Sequence, residues 1–135
     1  MKNLIIYQSF LGSGKKYAEW LGQEIKGEVK SYRQVKKEEL EKAEKIILVG
    51  ATYAGWIPLG GFIKRNQAIL NKKKTFFVNV GMAPENDTWN QKSWLKLPSE
   101  FRKNAKIYKL IGAMSQEEKT AIRKDNLNKI IKDIV

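Results

Sequence analysis

Ser9, Phe10, Leu11, Gly12, Ser13 and Gly14 form a turn-rich stretch after the apolar run Leu4-Ile5-Ile6-Tyr7. Beyond it, Tyr17, Ala18, Leu21 and Ile25 recur at helical spacing. Glycines let a backbone close around an anion, and the free N–H groups of a helix start attract phosphate. Ser9 and Ser13 add hydroxyl donors, and Lys15 and Lys16 add positive charge. The chemistry expected here is phosphate binding; the plainer alternative is a glycine-rich connection with Ser13 as an N-cap.

Two further stretches suit a flat conjugated ring. In Gly50-Ala51-Thr52-Tyr53-Ala54-Gly55-Trp56-Ile57-Pro58, Tyr53 or Trp56 could stack on such a ring while backbone groups reach its polar edge. Simple packing of both rings over the end of a sheet stays open. Gly81-Met82-Ala83-Pro84-Glu85-Asn86-Asp87-Thr88-Trp89 supplies another aromatic and several polar groups. Trp94, on a candidate short helix Gln91–Leu97, reads as an anchor for a long connection. Three tryptophans outside the regular elements (Trp56, Trp89, Trp94) exceed what packing needs, so at least one is expected to cover a ligand.

Neighbouring chemistries fail on spacing. A Walker A loop ending at Gly14-Lys15 needs glycine at Ser9 and a hydroxyl at Lys16. A dinucleotide fingerprint starting at Gly12 finds Tyr17 in place of its third glycine, and the second strand ends in Arg33 where the ribose needs an acid. A response-regulator receiver needs acids where Gln8-Ser9 and Gly50-Ala51 stand. With no cysteine and no histidine, thiolate and imidazole metal sites, disulfides and Ser/Cys–His hydrolysis are out. The sequence offers no carboxylate cluster for a metal and no obvious catalytic acid or base.

The elements that must position these loops alternate. Strands are expected at Leu4–Tyr7, Glu28–Arg33, Ile46–Val49 (stopped by Gly50), Thr75–Val80 and Ala105–Ile111. The intervening helices end at Gly27, span Lys36–Ala43, and carry Leu59, Phe62, Ile63, Ile69 and Leu70. Met82–Asn104 reads as one long irregular stretch. A capping box of Ser115 and Glu118 precedes a last helix with Ile122, Leu127, Ile130, Ile131 and Ile134. Such alternation predicts one α/β domain over residues 1–135, a parallel sheet with helices on both faces. Strands one, three and four are continuous apolar runs, whereas two (Glu28, Lys30, Arg33) and five (Lys106, Lys109) carry charges and belong at the edges. The order 2-1-3-4-5 follows, a three-layer doubly wound sheet. Its winding reverses between strands one and three, where ligands of such sheets sit. The three loops therefore meet at that switch point.

The stretch Leu4 to Ala18 resembles the amino terminus of flavodoxins, as does Ile47-Leu48-Val49-Gly50-Ala51-Thr52-Tyr53-Ala54-Gly55 followed by Phe62-Ile63-Lys64-Arg65-Asn66. The resemblance is greatest to short flavodoxin-domain proteins grouped with menaquinone-dependent protoporphyrinogen dehydrogenase, and it covers nearly the whole chain. It implies FMN. Its phosphate would lie on Ser9, Phe10, Leu11, Gly12, Ser13, Gly14 and Lys15. Its isoalloxazine would lie between Ala51, Thr52, Tyr53, Ala54, Gly55 and Trp56 on one side and Gly81, Met82 and Trp89 on the other. It also implies that Gly55 sits where flavodoxins flip a peptide on flavin reduction. The chain departs from the family in having Leu11 and Gly14 where hydroxyl residues are usual, and in a net charge of +12 where electron carriers are strongly acidic. The dehydrogenase group's extended segment near the last strand is absent or reduced.

The expected function is an FMN redox protein, an electron carrier or a small quinone- or porphyrinogen-linked dehydrogenase. The alternative is a cofactor-free binding module that holds an anionic partner on its basic surface. The charge favours an acidic redox partner protein, or a quinone at an anionic membrane surface. Nucleic acid is not expected, because the lysines and arginines are dispersed and no basic-aromatic face gathers. No apolar run approaches the roughly 20 residues that span a bilayer, and the start shows no signal-peptide pattern. A cytoplasmic protein is expected, with peripheral attachment to membrane as the variant.

Overall fold

The computed structural model describes residues 2–10, 12–53, 56–81, 88–112 and 121–135, with side chains left aside at 88–91. Five strands, β1 (Asn3–Tyr7), β2 (Glu28–Ser31), β3 (Lys45–Ala51), β4 (Lys74–Gly81) and β5 (Lys106–Ile111), form one parallel sheet in the order β2-β1-β3-β4-β5. The helices are α1 (Ser13–Ile25), α2 (Lys37–Lys42), α3 (Gly60–Leu70), α4 (Thr88–Leu95), α5 (Ser99–Asn104) and α6 (Asn128–Ile134). The three apolar runs take the centre and the two charged strands the edges, as their composition requires.

Alternation along the central strands feeds two cores. Leu4, Ile6, Ile46, Leu48 and Phe77 face α2, α3 and α5 through Leu40, Leu59, Phe62, Ile63, Leu70 and Phe101. Ile5, Ile47, Val49, Phe76, Val78 and Val80 face α1 and α6 through Tyr17, Leu21, Ile25, Leu127, Ile130 and Ile134. Trp94 sits on the first core, its ring 5.5 Å from Phe77 and 6.2 Å from Phe101, which is the anchoring role its position suggests.

Several boundaries differ from the sequence expectation. β3 does not stop at Gly50 but runs through it to Ala51, and Gly50 pairs with Asn79. The glycine is there because Leu59 lies on it: a Cβ would come within 2.6 Å of Leu59 Cδ1. At the end of α1 the left-handed residue is Lys26 (φ 53°), not Gly27. Gly27 instead clears β1, since a Cβ there would lie 3.1 Å from the Asn3 carbonyl oxygen. β2 ends at Ser31, whose hydroxyl accepts the Arg33 N–H (3.4 Å) and turns the chain into a 3-10 turn at Tyr32–Gln34. The stretch expected to be irregular carries α4 and α5, so Trp89 and Trp94 both belong to α4. The last helix covers only Asn128–Ile134, after a 3-10 turn at Lys124–Leu127; Ser115 and Glu118 lie outside the described residues.

Candidate functional site

In-register pairing of β1, β3 and β4 brings their carboxyl ends level. Tyr7 is opposite Val49, and Gly50 and Ala51 are opposite Asn79 and Val80. The chain leaves β1 at Gln8, whose N–H still bonds the Val49 carbonyl (2.9 Å). It then turns at Gly12 into α1. Gly12 adopts φ +95°, a left-handed conformation that costs an L-residue roughly 1–2 kcal/mol. A Cβ on Gly12 would meet nothing within 4 Å, so the loop opens onto free space there. Ser9 Oγ accepts the Gly12 N–H (2.9 Å) and keeps its own hydroxyl proton for another acceptor. The first intrahelical bond is Lys16 N–H to Gly12 O (3.0 Å), which leaves the amides of Gly14 and Lys15 without an intrahelical acceptor.

Gly14 is glycine for a packing reason. A Cβ would stand 3.1 Å from the Gln8 carbonyl oxygen and 3.4 Å from Ser9 Cβ. A hydroxyl residue there would press on the end of β1. Of the two lysines that follow, Lys16 is drawn away, with its Nζ 5.1 Å from the centre of the Trp20 ring. Lys15 is exposed at the start of α1.

The second loop leaves β3 beside this cradle. Thr52 N–H bonds the Val80 carbonyl (3.1 Å), and Thr52 Oγ1 donates to Asn79 Oδ1. Tyr53 and Trp56 exchange both backbone hydrogen bonds (2.8 Å each), an antiparallel bridge that turns the loop back on itself. This turn brings three rings together. Phe10 stacks on Tyr53 (5.5 Å, 22°), and Trp56 lies 6.1 Å from Phe10 and 6.3 Å from Tyr53. Phe10 and Trp56 are each 56% exposed, which leaves apolar ring surface open at the carboxyl end of the sheet. Gly81 closes β4 next to it, its carbonyl held by Lys109 Nζ (2.6 Å) and Gly112 N–H (3.0 Å).

Thus Ser9, Phe10, Gly12, Ser13, Gly14 and Lys15 meet Ala51, Thr52, Tyr53, Trp56 and Gly81 at one end of the sheet. Leu11, Ala54, Gly55 and Met82 lie outside the described residues. Trp89 lies in the first turn of α4.

Three residues join the site that sequence reasoning missed. Gln8 is 1% exposed; its Oε1 accepts the Ala51 N–H (3.2 Å), tying the first loop to the second, and its Nε2 is buried with no hydrogen-bond partner. Asn79 supports Thr52, and Lys109 places a positive charge at the end of β4. A polar residue inside an otherwise apolar run was the available signal for Asn79. Gln8 and Lys109 gave none that separates them from surface positions.

Comparison with known proteins places the fold. A family model for the flavodoxin domain matches residues 4–133. The chain belongs to the flavodoxin domain family. Among solved structures, a flavodoxin from the domain Archaea is 19% identical with a TM-score of 0.65, covering 99% of each chain. Oxidised flavodoxin 2 from Bacillus cereus is 18% identical (TM-score 0.63) over the whole of both chains. The two-electron reduced flavodoxin of Megasphaera elsdenii is 14% identical (TM-score 0.64), covering 96% of this chain and 98% of that one. A search of curated protein sequences returns no significant match. The family assignment reaches flavodoxin domains and does not extend to the narrower protoporphyrinogen dehydrogenase grouping. Among the described residues, no helix is long and apolar enough to cross a membrane, and no group of acids could hold a metal ion.

Proposed function

We propose that this flavodoxin-domain protein binds FMN at the carboxyl end of its sheet and carries electrons to and from an anionic partner. One observation carries the reading: the glycine-opened start of α1 and the ring trio Phe10, Tyr53 and Trp56, two of them exposed, adjoin at the switch point. The residues present fit the group. Space opens in front of Gly12, the amides of Gly14 and Lys15 have no backbone acceptor among the described residues, and the Gln8 Nε2 donor is buried without a partner there. An orphaned donor of this kind costs free energy that an acceptor on a ligand would relieve.

When bound, FMN supplies the electron chemistry, and the protein supplies position and surroundings. Ser9 and the amides of Gly14 and Lys15 would hold the phosphate, with Lys15 adding charge. Tyr53, with Phe10 and Trp56, would cover the ring system and keep water from it. The usual hydroxyls at the positions of Leu11 and Gly14 are missing, so about 1.5–3 kcal/mol per charge-assisted contact falls to other donors. Phe10 stacks on Tyr53, so ligand entry between these rings would have to part that pair.

The test is a fluorescence titration of apo protein with FMN, and with riboflavin for comparison. FMN is expected to bind at 1:1 and more tightly than riboflavin, because only FMN carries the phosphate. No quenching with protein in large excess rejects the redox reading and leaves a cofactor-free binding module. With a net charge of +12, the expected partner is an acidic redox protein or a quinone at an anionic surface.

A further inference from the structure

Gln8 follows the last residue of β1, where the backbone begins its turn toward Gly12. Its N–H still bonds the Val49 carbonyl (2.9 Å). In a parallel ladder the next rung would run from the Ala51 N–H to the Gln8 main-chain carbonyl. The side chain makes that rung instead: buried Gln8 Oε1 accepts the Ala51 N–H at 3.2 Å. The main-chain carbonyl lies beside α1, its oxygen 3.1 Å from the position a Gly14 Cβ would take. Glutamine thus prolongs the pairing of β1 with β3 by one rung past the end of the strand.

Stability of the ligand-free fold does not account for this residue. The rung pairs one buried donor, the Ala51 N–H, and leaves another, Gln8 Nε2, buried without a partner among the described residues. An unpaired buried donor costs at least as much as a typical hydrogen bond contributes, so folding gains nothing from the exchange. What the rung achieves is geometric. Each loop is braced internally, the first by the Gly12 N–H on Ser9 Oγ, the second by the Tyr53–Trp56 bridge and the Thr52 N–H on Val80. Across the two run the Phe10 ring contacts and the Gln8–Ala51 bond. A ligand entering between the rings would part Phe10 from Tyr53 and leave the Gln8 rung in place.

We propose that Gln8 is a positioning residue, a strut that sets the separation between the phosphate loop and the ring loop. A ligand that reaches both loops at once gains from a separation fixed beforehand, and a ligand that meets one loop does not. FMN is of the first kind; riboflavin and inorganic phosphate are of the second. The identity of the spanning ligand rests on the flavin reading; the rung itself does not.

The experiment compares wild type with Gln8→Met, which keeps the length of the side chain and loses its amide, and with Gln8→Glu, which keeps an acceptor for Ala51. In ligand-free protein, amide exchange followed by NMR should be about tenfold faster at Ala51 in Gln8→Met, with Val49 and Val78 unchanged. Gln8→Glu should restore the slow exchange. The urea midpoint of Gln8→Met should be no lower than that of wild type. In fluorescence titrations Gln8→Met should bind FMN about tenfold more weakly and riboflavin within about twofold of wild type. Inorganic phosphate should saturate the Gly14 and Lys15 amides at the same concentration in both proteins. Equal weakening of FMN and riboflavin, or a lower urea midpoint, would make Gln8 a ring contact or a packing residue and overturn the proposal. Ala51 exchange that ignores the substitution overturns it too. Wild type that binds neither flavin, with the exchange results intact, sinks the flavin reading alone. FMN binding indifferent to Gln8→Met sinks the strut alone.

Discussion

Gly12 is where backbone conformation and ligand chemistry separate. Gly12→Ala forces a side chain into φ +95° and is expected to lower stability by about 1–2 kcal/mol in urea denaturation. Gly12→Asp suffers less backbone strain, because aspartate tolerates this region better, yet it points a carboxylate into the space the phosphate would take. Asp should therefore fold at least as well as Ala and bind FMN far worse. Equal FMN affinity for the two variants would place the phosphate elsewhere. Among the rings, Tyr53 is the least exposed and the most firmly seated, so Tyr53→Ala is expected to weaken FMN binding by about 0.5–1.5 kcal/mol. Phe10→Ala should weaken it less, since removing Phe10 also exposes the face of Tyr53. Titrations of Phe10→Ala, Tyr53→Ala and Trp56→Ala that leave affinity and flavin spectrum unchanged would contradict this placement.

Between elements, the tightest approach described in the first core is Gly50 of β3 against Leu59, just before α3. Leu59 is fully buried and has no free direction in which to withdraw. Gly50→Ala should cost roughly 1–3 kcal/mol as overpacking, and that cost should largely vanish in a Leu59→Ala background, read as a double-mutant cycle by urea denaturation. The second core predicts an alkaline limit. Burial raises the Tyr108 phenol above its ordinary value near 10, and its hydrogen bond to Asp133 (2.7 Å) raises it further; burial also raises Tyr17. A folded-state pKa above the unfolded one contributes stability that is full below pH 10 and is lost as pH rises past it. Tyrosine ionisation should therefore leave unfolding midpoints unchanged up to about pH 10 and lower them above it, and less so in Tyr108→Phe. Asp133, lowered first by the same hydrogen bond from Tyr108, works at the other end. Its contribution is present above the ordinary carboxylate range and lost as pH falls below it.

For the molecule as a whole, 26 lysines and arginines against 14 acids give long-range attraction to anionic partners, and salt screens it over about 10 Å at 0.1 M. Electron transfer between the FMN-loaded protein and an acidic redox protein, or anionic vesicles carrying menaquinone, should slow as ionic strength rises. Basic reductases should be poor partners at low salt and improve relatively as salt is added. Stopped-flow rates across an ionic-strength series decide this; a rate independent of salt, or a faster reaction with the basic partner, removes steering from the account.

Strand order, edge strands and the approach of the first two loops at one end of the sheet were legible in the sequence, because each follows from local quantities: apolar runs, charge on a strand, glycine at a turn. The site's supporting residues were not. Gln8 matters because register puts it beside Ala51, and Asn79 because β4 lies next to β3 with Thr52 above it. Nothing within a few residues of either position announces that. Gly50 read as a strand terminus, and the reason it is not lies in Leu59, which reaches it only when α3 folds down on the sheet. Lys16 looked like a phosphate ligand by proximity in sequence, and the helix turn carried it instead over Trp20. Patterning along the chain determined which elements form and in what order they pair. Close approach across the chain decided which side chains stand there, since packing and pairing depend on neighbours far apart in sequence.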